Sequence, residues 1–142
     1  HNLVHDLPYT GVSVGWEGSA QPNPCKNNIL EFNHIYDVLN RLCDGGCIYT
    51  LDYQPGTVIR ANHLHGANRS SLAQGAPNNG IFIDQSSKGY LFERNVIYDT
   101  SAEAIRFNQS QRDWHQWEQN YIGEQAIVQQ EAKEIIDKAG LR

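Results

Sequence analysis

Five short stretches of the chain follow one plan: NLVHD (2–6), NHIYD (33–37), NHLHG (62–66), NVIYD (95–99) and NYIGE (120–124). Each opens on Asn and carries a hydrophobic residue two positions on, and three of the five close on Asp. The Asn residues are 31, 29, 33 and 25 apart. Two further elements recur between them. One is GVSVG (11–15), GCIYT (46–50), GIFID (80–84) and AIRFN (104–108). The other is NNILEF (27–32), TVIRA (57–61), GYLFER (89–94) and DWHQWEQ (113–119). Each unit of about thirty residues thus holds three strand-like runs separated by turn signals.

Runs this short do not stand alone as sheets. Stacked units pair each run with its copy in the next unit, ~4.8 Å per layer. The expected fold is therefore all-β: a right-handed parallel β-helix of about five coils over residues 1–123. Recurrent Asn at one corner predicts an amide ladder running up the stack. Two stretches, 16–28 and 66–79, are rich in Gly, Pro, Ser and Asn. They read as long loops, which in solenoids gather on one side and often wall a binding site. Residues 124–142 differ. Val128, Ala132, Ile135, Ile136 and Ala139 fall at helical spacing, with Gly140 as the stop. They predict an amphipathic C-terminal α-helix that packs on or caps the last coil. The opening HNLVHD reads as the middle of a repeat, so earlier coils of the same protein, and any signal segment, are expected before it.

Net charge is −5, and the 11 Lys and Arg are scattered. Nucleic acid needs a basic stripe, so it is not an expected partner, and neither is an anionic membrane surface. A weakly acidic surface suits neutral substrates, carbohydrate included. Three Cys (Cys25, Cys43, Cys47) close no disulfide framework and lack zinc spacing, and they read as buried small residues. His34, His63 and His65 attach to the Asn corner, where a turn hydrogen bond accounts for them. No metal ligand set is expected.

Acids provide the chemistry. Asp44, Asp52, Asp84, Glu17 and Glu103 lie on or beside the second set of runs. Two carboxylates flanking a scissile bond are what glycoside hydrolysis requires. Strand alternation puts Asp84 outward in either register, aligned by Gly46 with Gly80 or by Ile48 with Ile81, because a carboxylate inside an apolar stack is costly. In a straight ladder Asp52 and Asp84 on adjacent coils are roughly 8 Å apart. Asp44 comes near only if Gly45-Gly46 bends the chain. Trp16, Glu17, Tyr49, Phe82 and Arg106 are candidate substrate-binding residues. Aromatic faces stack on sugar rings, and Arg106 either binds substrate or pairs with an acid on the next coil.

DGGCIYTLDYQPGTVI, GIFIDQSS and RNVIYDT together resemble right-handed parallel β-helix proteins of carbohydrate metabolism, glycoside hydrolase family 141-like enzymes among them. The resemblance covers residues 1–123. It implies a secreted or periplasmic protein that acts on plant or microbial polysaccharides. It also implies Asp44 and Asp84 as the catalytic pair, whereas the straight-ladder geometry prefers Asp52 with Asp84, so Asp52 and Glu103 are reserve acids; no cofactor is expected. Gln85 and Ser86 stand where relatives usually have an acid and Gly, and IRFNQ (105–109) where they often have a His-rich strand. A polysaccharide lyase, with Lys88 or Arg106 as base and Ca²⁺ on clustered acids, is the alternative enzyme. A non-catalytic glycan-binding or structural solenoid is the other.

Overall fold

A computed structural model describes residues 1–142. The first repeat forms β1 (Leu3–Val4), β2 (Val12–Val14) and β3 (Ile29–Glu31). The second forms β4 (His34–Ile35), β5 (Gly45–Thr50) and β6 (Val58–Arg60). The third forms β7 (His63–Leu64), β8 (Asn78–Ile83) and β9 (Leu91–Glu93). The fourth forms β10 (Val96–Ile97), β11 (Ile105–Phe107) and β12 (Gln116–Trp117). A last strand, β13 (Tyr121–Ile122), leads to the helix α1 (Gln130–Lys138).

These strands form three sheets, each gaining one strand per repeat: β1-β4-β7-β10-β13, β2-β5-β8-β11 and β3-β6-β9-β12. Every pairing is parallel. The fold is all-β with one C-terminal helix, and its parallel stacking is consistent with a β-helix. Fourteen buried residues form the main core, with Ile35, Leu64 and Ile97 from the first sheet, Ile48, Ile81 and Ile83 from the second, and Ile59 and Phe92 from the third. Each such side chain stabilises the stack by about 1.5–3 kcal/mol relative to exposure.

The Asn ladder is present. Asn2 Nδ2 donates to Asn33 Oδ1 (2.8 Å), Asn33 to Asn62 (2.8 Å), Asn62 to Asn95 (2.9 Å) and Asn95 to Asn120 (3.0 Å). Each Oδ1 also accepts the backbone N–H of the preceding Asn in the ladder. The residue before Asn33, Asn62 and Asn95 turns the corner with positive φ: Phe32 (52°), Ala61 (50°) and Arg94 (54°). A left-handed non-Gly residue costs roughly 1–2 kcal/mol, which the amide bonds offset. Four residues after Asn, the chain bends again at Asp6, Asp37, Gly66 and Asp99, all at positive φ. The Asp that closes three of the repeats is therefore a conformational choice, since Asp and Gly tolerate that region.

The strand register follows Ile48↔Ile81, with Tyr49↔Phe82 and Thr50↔Ile83. The Gly46–Gly80 alignment is excluded, since Gly46 pairs with Asn79. The helix begins at Gln130, so Val128 lies outside it and is exposed. Ala132 and Ile135 bury against Ala61, Val96, Tyr121 and Ala126, residues of several coils. The helix therefore packs along the side of the stack. It ends as the sequence predicts, with Gly140 at φ 95° and its N–H on Phe32 O (2.9 Å). The cysteines are free, but only Cys47 is buried, and Cys25 is exposed in the 16–28 loop. No helix is long and apolar enough to cross a membrane.

Candidate active site

Asp84 is the first residue after β8 and points away from the core. It is 9% exposed. Tyr49 Oη donates to its Oδ2 at 2.5 Å, and Asn108 Nδ2 donates to its Oδ1 at 2.7 Å. Both donors come from neighbouring strands of one sheet. Tyr49 pairs with Phe82 one coil below, and Asn108 follows Phe107, which pairs with Ile83 one coil above. Burial, the bond to Asp84 and the charge of Asp84 together push the Tyr49 hydroxyl well above its usual range. Tyr49 thus stays a protonated donor.

Asp44 sits at the start of β5, with φ 64°. Arg106 Nη1 donates to its Oδ1 at 3.1 Å, and the Arg106 guanidinium lies over the Phe82 ring at 4.3 Å. Asp44 remains exposed. The glycines after it are required by packing. A Cβ on Gly45 would sit 2.4 Å from Thr10 Oγ1 and 2.9 Å from Leu39 Cδ2. A Cβ on Gly46 would meet the backbone of Ile48, Asn79 and Phe82 at 2.9–3.1 Å. Tyr9 lines the cleft with Asp84 and reaches the backbone of Asp44. Its hydroxyl donates to Asp44 O (3.0 Å) and is pushed up by burial and then by the charges of Asp44 and Asp84.

A cleft of about 220 Å³ opens over this patch, lined among others by Tyr9, Trp16, Glu17, Tyr49, Asp84 and Gln85. Trp16 is 75% exposed at its mouth. Asp52 builds the wall that carries it. Its Oδ2 accepts the N–H of Trp16 (2.9 Å) and Glu17 (3.3 Å), and its Oδ1 that of Ser19 (2.9 Å). Asp52 is only 2% exposed, so this anchoring is its task in the structure. Ser86 Oγ fastens the same wall by donating to Gly18 O (3.0 Å).

The expected residues are thus partly gathered. Asp84, Tyr49, Trp16 and Glu17 share the cleft, and Asp44 and Arg106 pair beside it. Glu103 is exposed and outside the cleft lining, and its backbone carbonyl accepts Asn79 Nδ2 (2.6 Å). Phe82 has no exposed surface. It is a floor under Tyr49 and Arg106, not a sugar platform. Tyr9 is an addition to the expected set, while Gln85 and Asn108 belong to the stretches where the sequence departs from the relatives' pattern. Asn108 was findable, because it occupies in AIRFN the place Asp84 occupies in GIFID. Lys88, one of the two bases considered for a lyase, lies 5.7 Å over the Trp114 ring, and Arg106, the other, is committed to Asp44.

No family model matches the chain, and no curated protein matches it. A solved structure named "Glycoside hydrolase" is similar, with a TM-score of 0.76 and 22% identity. The match covers 100% of this chain and 22% of that one. The shared property is the fold. This chain therefore corresponds to 22% of the length of that protein.

Proposed function

We propose that the chain is the cleft-bearing part of a right-handed parallel β-helix glycoside hydrolase, of the kind the family 141-like resemblance suggests. Right-handed crossovers are the rule between parallel strands of one sheet, which supports the handedness. The observation that carries the reading is Asp84, set at a cleft with two hydrogen-bond donors on its carboxylate and no acceptor. Such a carboxylate is oriented to accept, the part of a base or nucleophile at a sugar carbon.

Asp44 is the second carboxylate of the pair, held at the edge of the cleft by its ion pair with Arg106. Only its Oδ1 is engaged, by Arg106 Nη1, which leaves Oδ2 free to meet substrate. Tyr9 lines the cleft beside Asp84, with its hydroxyl on the Asp44 backbone carbonyl. Trp16 offers a sugar ring an exposed aromatic face, and Glu17 offers hydroxyl groups an acceptor. The substrate is a poly- or oligosaccharide met outside the cytoplasm, and hydrolysis by two carboxylates needs no cofactor.

The test is an end-product assay on plant and algal polysaccharides, using this chain and the longest natural protein that contains it. New reducing ends without near-ultraviolet absorbance are expected. Reducing ends with the absorbance of unsaturated uronates would mean a lyase. Binding without turnover by the longest form would mean a glycan-binding solenoid.

A further inference from the structure

The first sheet carries, on its outer side, a cluster the cleft does not use. Register pairs His34 with His63, and their rings stack at 4.2 Å and 13°. Beside them runs a second column, His5, Tyr36, His65 and Tyr98, with centroids 4.9, 5.2 and 5.0 Å apart and planes within 11°. The columns meet where His34 Nε2 lies 2.9 Å from His65 Nε2. The expected hydrogen bonds from these histidines to the Asn corner do not form, because the Asn ladder itself satisfies the corner.

We propose that His34, His63 and His65 form a binding site for a divalent transition metal of the imidazole-preferring class, Zn²⁺ foremost. One ring nitrogen from each lies within 4.8 Å of the other two, and this is the only such trio of His, Cys, Asp or Glu groups in the chain. Three imidazoles with a fourth position open is an established zinc ligand set, with Zn–N ≈ 2.0–2.1 Å. Ligation needs neutral rings, and burial pushes all three below the usual histidine range, His63 down to about 3. His63 is 5% exposed and its Nδ1 has no hydrogen-bond partner, while its Nε2 meets Tyr98 Oη at 2.9 Å. A buried nitrogen without a protein partner calls for a water or an ion to complete it. Tyr98 is then the outer-shell partner that fixes the ring, as metal-bound histidines require. His34 and His65 are half-buried, which leaves the cation a way in.

The ligands come from β4, β7 and the residue after β7, and Gly140 beyond α1 lies against His34. The cation therefore staples two adjacent coils beneath the end of the helix. It sits on a different sheet from Asp84 and is independent of the hydrolase reading. No local motif announces it, since His34 and His63 stand a full repeat apart.

The experiment is a titration of the untagged chain with Zn²⁺ against a chromophoric chelator, repeated with Co²⁺ and read by its visible d–d bands. One equivalent is expected to bind and to raise the melting temperature. His34→Gln and His65→Gln are each expected to weaken binding by roughly 1,000-fold, beyond the 10–100-fold that outer-shell changes cost. His5→Gln, in the same ring column but outside the trio, is expected to bind as the wild type does. Circular dichroism confirms that the variants fold. Absence of stoichiometric binding by the wild type, or equal binding by folded His34→Gln and His65→Gln, would overturn the site.

Discussion

The Tyr49 hydroxyl, held 2.5 Å from the Asp84 carboxylate, joins two coils at the point where the cleft opens. Bonds of this charge-assisted kind are worth about 1.5–3 kcal/mol. Tyr49→Phe removes the donor and keeps the ring edge on Phe82. The expected result is roughly a 10-fold or greater fall in kcat/KM, at 1.36 kcal/mol per factor of ten, with the fold intact. Steady-state kinetics beside circular dichroism checks it.

The Asn ladder predicts unequal costs along the stack. Asn62 is fully buried and bonds to Asn33, Asn95 and Leu30. Asn62→Ala strands several of these groups at once, so a loss of about 3 kcal/mol or more is expected. Asn2 is exposed at the end of the ladder, and Asn2→Ala is expected to cost under about 1 kcal/mol. Urea unfolding of the two variants gives the comparison.

Stability is expected to fall in mild acid. His115 is buried, its Nε2 meets Ser110 Oγ at 3.0 Å, and burial pushes its imidazole down to about 4. The unfolded chain takes up that proton near pH 6.5 and the folded chain only near 4. The stabilisation is thus complete above about pH 6.5 and is lost as pH falls toward 4. It amounts to roughly 3 kcal/mol at 1.36 kcal/mol per unit. Denaturant midpoints between pH 7 and 4 should decline, and less steeply in His115→Asn.

Most of the architecture was legible because short apolar runs bounded by turn residues recur at a near-constant interval. All thirteen strands fall in or overlap those runs. Register was not legible. Gly46 with Gly80 and Ile48 with Ile81 differ by a single residue, and both alignments match like residues. The site inherits that limit. Asp84 was recognisable from its place after GIFID, but Tyr9 and Asn108 become its neighbours only once the coils are stacked. Asp52 looked like a second catalytic acid because nothing local reveals that the 16–19 wall turns its N–H groups onto it. The histidines were misread for a similar reason, since their partners lie one repeat away.

The most direct measurement is reducing-end release by wild type and Asp84→Asn, in the longest natural form of the protein, on a polysaccharide that the wild type cleaves. Asn is nearly isosteric, so Tyr49 and Asn108 keep a neighbour of the same shape. A loss of turnover of about 100-fold or more, with unchanged circular dichroism and retained sugar binding, is the predicted result. Turnover at the wild-type level in the folded variant would contradict the assignment of Asp84 as the reacting carboxylate.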